Sequence, residues 1–351
     1  MPIDVLIVGQ GLAGSLLAWE LIRQEMRVIV IDNGRENASQ VAAGLINPVT
    51  GQRLVKNSDV LDLLPAAMQC YRVLSEVFQQ HFFVALPMLR ILNNVREQRA
   101  AEQRLNQPDY QAFLAAYPDA TDAIKAPYGV LRQAQTGYLK TGLLLAHLRN
   151  FLIAKASYRQ ADFNYNELIL HPNLSWREFS PKHIVFCEGH HANQNPWFGG
   201  LPFQPAKGEI LRCRSAAKRP EQIINYGHWM IPMDAQQFKL GATFQPGQTD
   251  TRPTELAKHT LLQGIAGIMP GLMPIVVTAQ HVGVRPTTLD KQPFIGSHPQ
   301  YANLHIFNGF GAKGSLAIPW HAKQFVAALQ KHALLPIAVN IQRYYETHFL
   351  R

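Results

Sequence analysis

Val5-Leu6-Ile7-Val8-Gly9-Gln10-Gly11-Leu12-Ala13-Gly14 is the stretch that decides the fold. An apolar run this short, unbroken and rich in branched residues reads as a strand buried on both faces. Beyond the glycines, Leu16, Leu17, Leu21 and Ile22 recur at helical spacing, so a helix should fold back on that strand. A second apolar run, Val28-Ile29-Val30-Ile31, ends in Asp32, eighteen positions after Gly14. Each residue type has a chemical reason. Gly9 permits the tight turn, Gly11 lets a pyrophosphate reach bare backbone, and Gly14 brings helix close to strand. The start of the helix offers unpaired N–H groups to phosphates, and Asp32 offers a carboxylate to a ribose. Strand, turn, helix, strand and acid in register predict a site for an adenine dinucleotide.

A chain of 351 residues can bury a substantial core and suggests two domains rather than one. With 47% hydrophobic and 16% charged residues it should be globular, not disordered. No apolar run reaches the roughly 18 residues of a membrane-spanning helix. The N-terminus lacks a basic region and carries Asp4, so a strand is expected there, not a signal peptide. Three cysteines, Cys70, Cys187 and Cys213, show no metal-like spacing and suit a reducing, cytoplasmic setting. The net charge of +9 fits a basic enzyme that attracts anions, or a partner of nucleic acid. Lys207, Arg212, Arg214, Lys218 and Arg219 cluster loosely, without the interleaved aromatics of an RNA-binding patch, and the first reading is preferred.

Residues 38–48 are small and then abruptly apolar, a texture that suits chain passing close to a cofactor. Leu61, Leu64, Met68, Tyr71, Leu74 and Phe78 predict a helix over 61–83, followed by a strand over 86–93 and a polar helix over 97–105. Pro108, Pro118 and Pro127 predict loops with a short helix between 107 and 138. Thr141 reads as the N-cap of a helix to Ala154, and 183–187 as a second buried strand ending at Glu188-Gly189. Short strands are expected at 209–214, 228–232 and 238–244, a helix at 254–268, and a strand at 276–284 leading into Arg285-Pro286. A strand at 304–307, a glycine cluster and a helix at 317–330 close the chain; Pro319 fits that helix if it lies in the first turn. Buried strands near the start, middle and end imply an α/β, Rossmann-like dinucleotide domain assembled from 1–85, 137–203 and 276–351. An inserted, mostly antiparallel α+β substrate domain would take 86–136 and 204–275.

At five places the chain resembles the FAD-dependent oxidoreductases of the D-amino acid oxidase, glycine oxidase and sarcosine oxidase group. They are the first glycine turn, 39–46, Ile184-Val185-Phe186-Cys187-Glu188-Gly189, Gly283-Val284-Arg285-Pro286-Thr287 with Asp290, Pro293, Ile295 and Gly296, and Asn308-Gly309-Phe310-Gly311-Ala312-Lys313-Gly314. The last block is similar to the FAD domain of the bifunctional enzymes that mature 5-methylaminomethyl-2-thiouridine in tRNA; their methyltransferase portion is not expected here. The resemblance implies a glutathione-reductase-type FAD domain. Noncovalent FAD would be held by Gly9, Gly11, Leu12, Ala13, Gly14, Asp32, Asn33, Ser39, Ala43, Gly44, Leu45, Ile46, Glu188, Gly189, Gly309, Phe310, Gly311, Ala312, Lys313 and Gly314.

It further implies that Arg285 forks onto a substrate carboxylate, the alternative being a structural pair with an acid such as Asp290. Lys313 would support the reduced flavin, or be a solvated loop lysine. Asn47 would bond flavin or substrate, or merely begin the Pro48 turn. Trp229 and Tyr226 would wall the substrate pocket, or serve as core. His190-His191 lacks the acidic or cysteine partners of a metal site, and none is expected. The implied activity is oxidation of a C–N bond in an amino acid or secondary amine. Two alternatives stand beside it: demodification of a carboxymethylaminomethyl wobble uridine in tRNA, and flavin binding without turnover.

Overall fold

The computed structural model describes residues 1–117, 123–234 and 236–349, and its centre is the predicted strand–turn–helix. Strand Pro2–Val8 pairs in parallel with Val28–Asp32 on one side and Ser180–Phe186 on the other. Tyr158–Gln160 and Leu304–Asn308 extend the sheet in parallel, and Phe294–Ser297 closes it as an antiparallel edge. Alternation along the strands divides their side chains between two cores. Val5, Ile7, Val28 and Val30 pack under helices Leu12–Arg23, Val60–Phe78, Thr141–Ala154 and Gly314–Leu329. Leu6, Val8, Ile29 and Ile31 meet Trp176, Phe179 and Phe198 on the other face.

The second sheet has nine strands and is antiparallel apart from the pairing of Met88–Ile91 with Ile223–Asn225. Its long strand Ala206–Arg214 lies between Gln237–Gly241 and Val276–Arg285. Leu211 and Cys213 face helix Glu255–Ile268, packing with Leu261 and Ile265. The opposite face carries Gly208, Ile210, Arg212 and Arg214.

Local differences from the sequence reading have local causes. The helix predicted to residue 83 stops at Phe78, where Gln79 turns left-handed at φ 51°, and Phe83–Ala85 instead pairs with Gly137–Leu139. Thr141 is the first helical residue, not the cap; its hydroxyl donates to the Ala42 carbonyl at 3.0 Å. Residues 107–138 hold the short helix Pro108–Tyr110 but also strands Leu114–Ala116 and Val130–Gln133, while Pro118 lies outside the described residues. Val276–Arg285, grouped above with the dinucleotide part, hydrogen-bonds along its length to Ala206–Arg214 and so runs in the second sheet.

Pro319 is in the second turn of its helix, not the first. It has no N–H to give the Ser315 carbonyl four residues earlier. The buried Tyr71 hydroxyl donates to that carbonyl at 2.6 Å, joining helix Val60–Phe78 to helix Gly314–Leu329. Tyr71→Phe leaves a buried carbonyl unsatisfied and is expected to destabilise by about 1–2 kcal/mol, read from the urea midpoint at unchanged m.

Candidate functional site

A cleft of about 1650 Å³ runs from the first glycine turn to the second sheet. At the turn, Gly9 has φ +105°, and a side chain on it would strike the Cys187 carbonyl at 2.6 Å. A Cβ on Gly14 would fall 1.9 Å from the Gly9 carbonyl oxygen, so this glycine does not line the cleft but seats the helix behind it. Gly11 differs. A Cβ there would meet only Ser39 Oγ, at 3.4 Å, so the protein itself leaves room for a side chain and the cleft is what needs the bare backbone. Leu12 and Ala13 line the cleft beside it. Ser39 Oγ accepts the Leu12 N–H at 3.0 Å, and Asn37 holds Ser39 in place through a capping box with Gln40.

Asp32 is nearer to a fixed strut than to a free acceptor. Its carboxylate takes the N–H groups of Gln10 and Gly34, both at 2.8 Å, and Arg149 lies 3.5 Å away. Asn33, Phe163, Tyr165, Glu188 and Gly189 continue the wall. Tyr165 donates to Glu188 at 2.5 Å and Asn195 donates at 2.9 Å. Burial nevertheless pushes the Glu188 carboxyl up to about 7, outweighing those two bonds.

Ala43, Gly44 and Leu45 line the middle of the cleft, while Ile46 is fully buried and turns into the core. Asn47 also lines it, but its Oδ1 accepts the Val49 N–H at 3.2 Å, the bond expected of a turn residue. Phe310, Gly311, Ala312, Lys313 and Gly314 bring the start of helix Gly314–Leu329 to the cleft, with Lys313 exposed. Gly309, at φ +82°, does not line it; a Cβ there would meet Thr288 Cγ2 at 2.7 Å.

Arg285 reaches back across the sheet. Its guanidinium lies where a Gly208 side chain would be, 2.3 Å from that Cβ position, and donates to the Thr243 carbonyl at 3.2 Å. Burial holds its pKa below the usual arginine value. Among the described residues no carboxylate comes within 4.0 Å of it. Asp290, the alternative partner, is taken by Arg343 and Tyr344, each at 2.9 Å. Tyr226 follows the core reading weighed for it: the residue borders the cleft, but its ring packs in the core of the second sheet and its buried hydroxyl, without a hydrogen-bond partner among the described residues, points under helix Glu255–Ile268, 4.0 Å from the Cβ position of Gly264. Trp229 lines the cleft too, its ring covering Gly241.

The sequence reading missed Arg90, whose place inside the apolar run Met88-Leu89-Arg90-Ile91 was the available signal. It is buried at the cleft wall, donating to Asn225 at 2.8 Å and to Glu97 at 3.2 Å. Lys207 stands apart from the loose basic cluster noted above. It is buried and donates to Asp250 at 2.7 Å and to the Arg252 carbonyl at 2.6 Å.

A bare-backbone cradle at Gly11 and a helix start on either side of the cleft fit a bound dinucleotide. Gly11→Val is expected to fold but purify colourless, without FAD, whereas Gly14→Val should fail to fold; absorbance and circular dichroism separate the two. Glu188 supplies a pH effect. The folded chain keeps its proton to higher pH than the unfolded chain, so the stability it adds is full below about pH 4.5 and fades as pH rises through about 7. Glu188→Gln should therefore narrow the gap between the thermal midpoints at pH 5 and pH 8.

The model of the FAD dependent oxidoreductase family matches residues 4–328. The glycine oxidase of Geobacillus kaustophilus is 22% identical over 346 residues, covering 90% of each chain. A crystal structure of glycine oxidase from that organism superposes with a TM-score of 0.84 over 98% of both chains, at 19% identity. The tRNA 5-methylaminomethyl-2-thiouridine biosynthesis bifunctional protein of Idiomarina loihiensis is 23% identical over 340 residues, but the chain spans only 54% of that protein's length. No helix among the described residues is long and apolar enough to cross a membrane. A family match over nearly the whole chain, on a cleft whose glycines and helix starts fit the dinucleotide, makes this protein a member of the FAD dependent oxidoreductase family.

Proposed function

We propose that this enzyme oxidises the C–N bond of an amine or amino acid that carries a carboxylate. The observation that carries the reading is Arg285: a guanidinium largely withdrawn from water, facing the cleft, with a backbone carbonyl as its protein acceptor and, among the described residues, no acid beside it. A cation kept in that state favours an incoming anion, and a planar fork fits a carboxylate in two places at once. Bound FAD supplies a two-electron, hydride-accepting centre.

The chain's own residues do the rest. Arg285 fixes one end of the substrate, which limits how its α-carbon can lie. Trp229, at the cleft wall, excludes water from one side. Lys313 and the helix start behind it add positive potential at the other wall of the cleft. A neutral amine loses hydride from its α-carbon, and the imine left behind is hydrolysed by water, so no protein base is required at that carbon. Matched proteins named glycine oxidase, and a solved iminodiacetate oxidase of the same fold, support an amine bearing a carboxylate.

Anaerobic mixing with N-substituted glycines and D-amino acids should bleach the flavin absorbance. Arg285→Lys should keep its flavin and lose about 1–3 kcal/mol of apparent affinity for such substrates, with much less change for amines lacking a carboxylate. Unchanged affinity in the variant would make Arg285 structural and sink the reading.

A further inference from the structure

Gly208 and Ile210 line the cleft, and alternation carries the same face of that strand onward to Arg212 and Arg214, both exposed. Cross-strand register sets Arg212 opposite Lys239, as it sets Ile210 opposite Gly241. Two cations therefore stand side by side, with Cβ atoms about 5 Å apart. On the other side Arg212 faces Ala279, which has no charge to offer. Among the described residues, Arg212, Arg214 and Lys239 form no ion pair. Lys239 is half-buried, and its ammonium is held below the ordinary lysine value by burial and by Arg212. Arg219 lies nearby, close enough to act on Tyr138, which is half-buried in the same apolar group as Ile231. Ile231 is Lys239's other cross-strand neighbour.

Like charges placed directly opposite on a sheet repel, so this pair weakens the fold for as long as nothing lies between them. Lys207 shows how this same strand treats a structural cation: it is buried against Asp250 and Glu209 on the face that packs under the helix. Among the described residues Arg212 and Lys239 have no such partners, and they continue, beyond the cleft lining itself, the face on which Gly208 and Ile210 line it.

We propose that Arg212 and Lys239, with Arg214 beside them, form a second anion subsite that takes a phosphate group of the substrate. A phosphate matches it better than a carboxylate because two or three cations call for more than one negative charge, and the guanidinium fork can hold two of its oxygens. The spacing is set by the strand. Arg285 lies over Gly208 and the subsite begins at Arg212, four residues on, a separation of about 13 Å. The substrate is then an extended molecule with its amine and carboxylate near the flavin and a phosphate at the far end. This rests on the amine reading above for the carboxylate end only.

The phosphate can belong to a small phosphorylated amine or to a nucleic acid chain, and the test separates these sources. Inorganic phosphate is titrated calorimetrically into the FAD-loaded enzyme, its Arg212→Gln/Lys239→Gln variant and Arg285→Lys, with acetate as the carboxylate probe. Phosphate affinity should fall about ten-fold or more in the double variant and stay unchanged in Arg285→Lys; acetate should show the reverse. Without ligand the double variant should melt at or above the wild-type temperature, because a repulsion has been removed; a structural role for the pair would lower it. A short single-stranded RNA whose affinity falls with salt at a slope near two, flattened in the double variant, assigns the phosphate to nucleic acid. RNA that binds no better than phosphate assigns it to a small molecule. Equal phosphate affinity in wild type and double variant overturns the subsite. Failure of acetate alone overturns only the carboxylate reading.

Discussion

How closely the first helix can approach the end of the first strand governs the rest of the molecule. Gly14 sits against the Gly9 carbonyl with no room for a methyl group, and Gly9 itself abuts the carbonyl of Cys187 at the end of the neighbouring strand. Three chain segments meet there without a side chain between them. The contact fixes the helix N-terminus beyond the carboxyl ends of parallel strands, the place where open α/β sheets receive their ligands. Every other wall of the cleft is built outward from that point.

The second sheet uses the two faces of one strand for different ends. On the face under helix Glu255–Ile268, Glu209 accepts from Thr254 and Gln280, and Lys207 finds Asp250, so each buried charge is met by the protein. On the opposite face, among the described residues, no acid pairs with Arg285, Arg212 or Lys239. Uncompensated charge costs stability where water is scarce, which is why its confinement to one face is informative.

The dinucleotide half was legible because its signals are local. Glycine spacing, a branched apolar run and a following acid describe one continuous stretch, and the structure reproduces it nearly residue for residue. Helices and strands elsewhere were found with their ends displaced, as at Gln79, because chain reversal there depends on a single left-handed residue that composition does not mark. The substrate half was less legible. That Ile46 turns inward while Leu45 faces the cleft is decided by pairing with residues far along the chain. Lys207 looked like its basic neighbours in sequence, and only strand parity separates it from Arg212. Asp32 fitted a ribose ligand by position, yet its oxygens are largely engaged by Gln10, Gly34 and Arg149, which no spacing rule announces.

The strand that ends in Arg285 runs on into Pro286, whose carbonyl accepts the N–H of Gly311 at 3.1 Å. One residue thus separates the guanidinium that faces the cleft from the loop that opens the last helix onto the same cleft. An anion held by Arg285 would restrict the same short span of backbone that shapes this loop, and a ligand seated against the loop would steady Arg285 in return. Such coupling is reciprocal by thermodynamic necessity: whatever factor occupancy of one site adds to the affinity of the other is returned unchanged. The two halves of the cleft, built from different sheets, would in this respect respond as one.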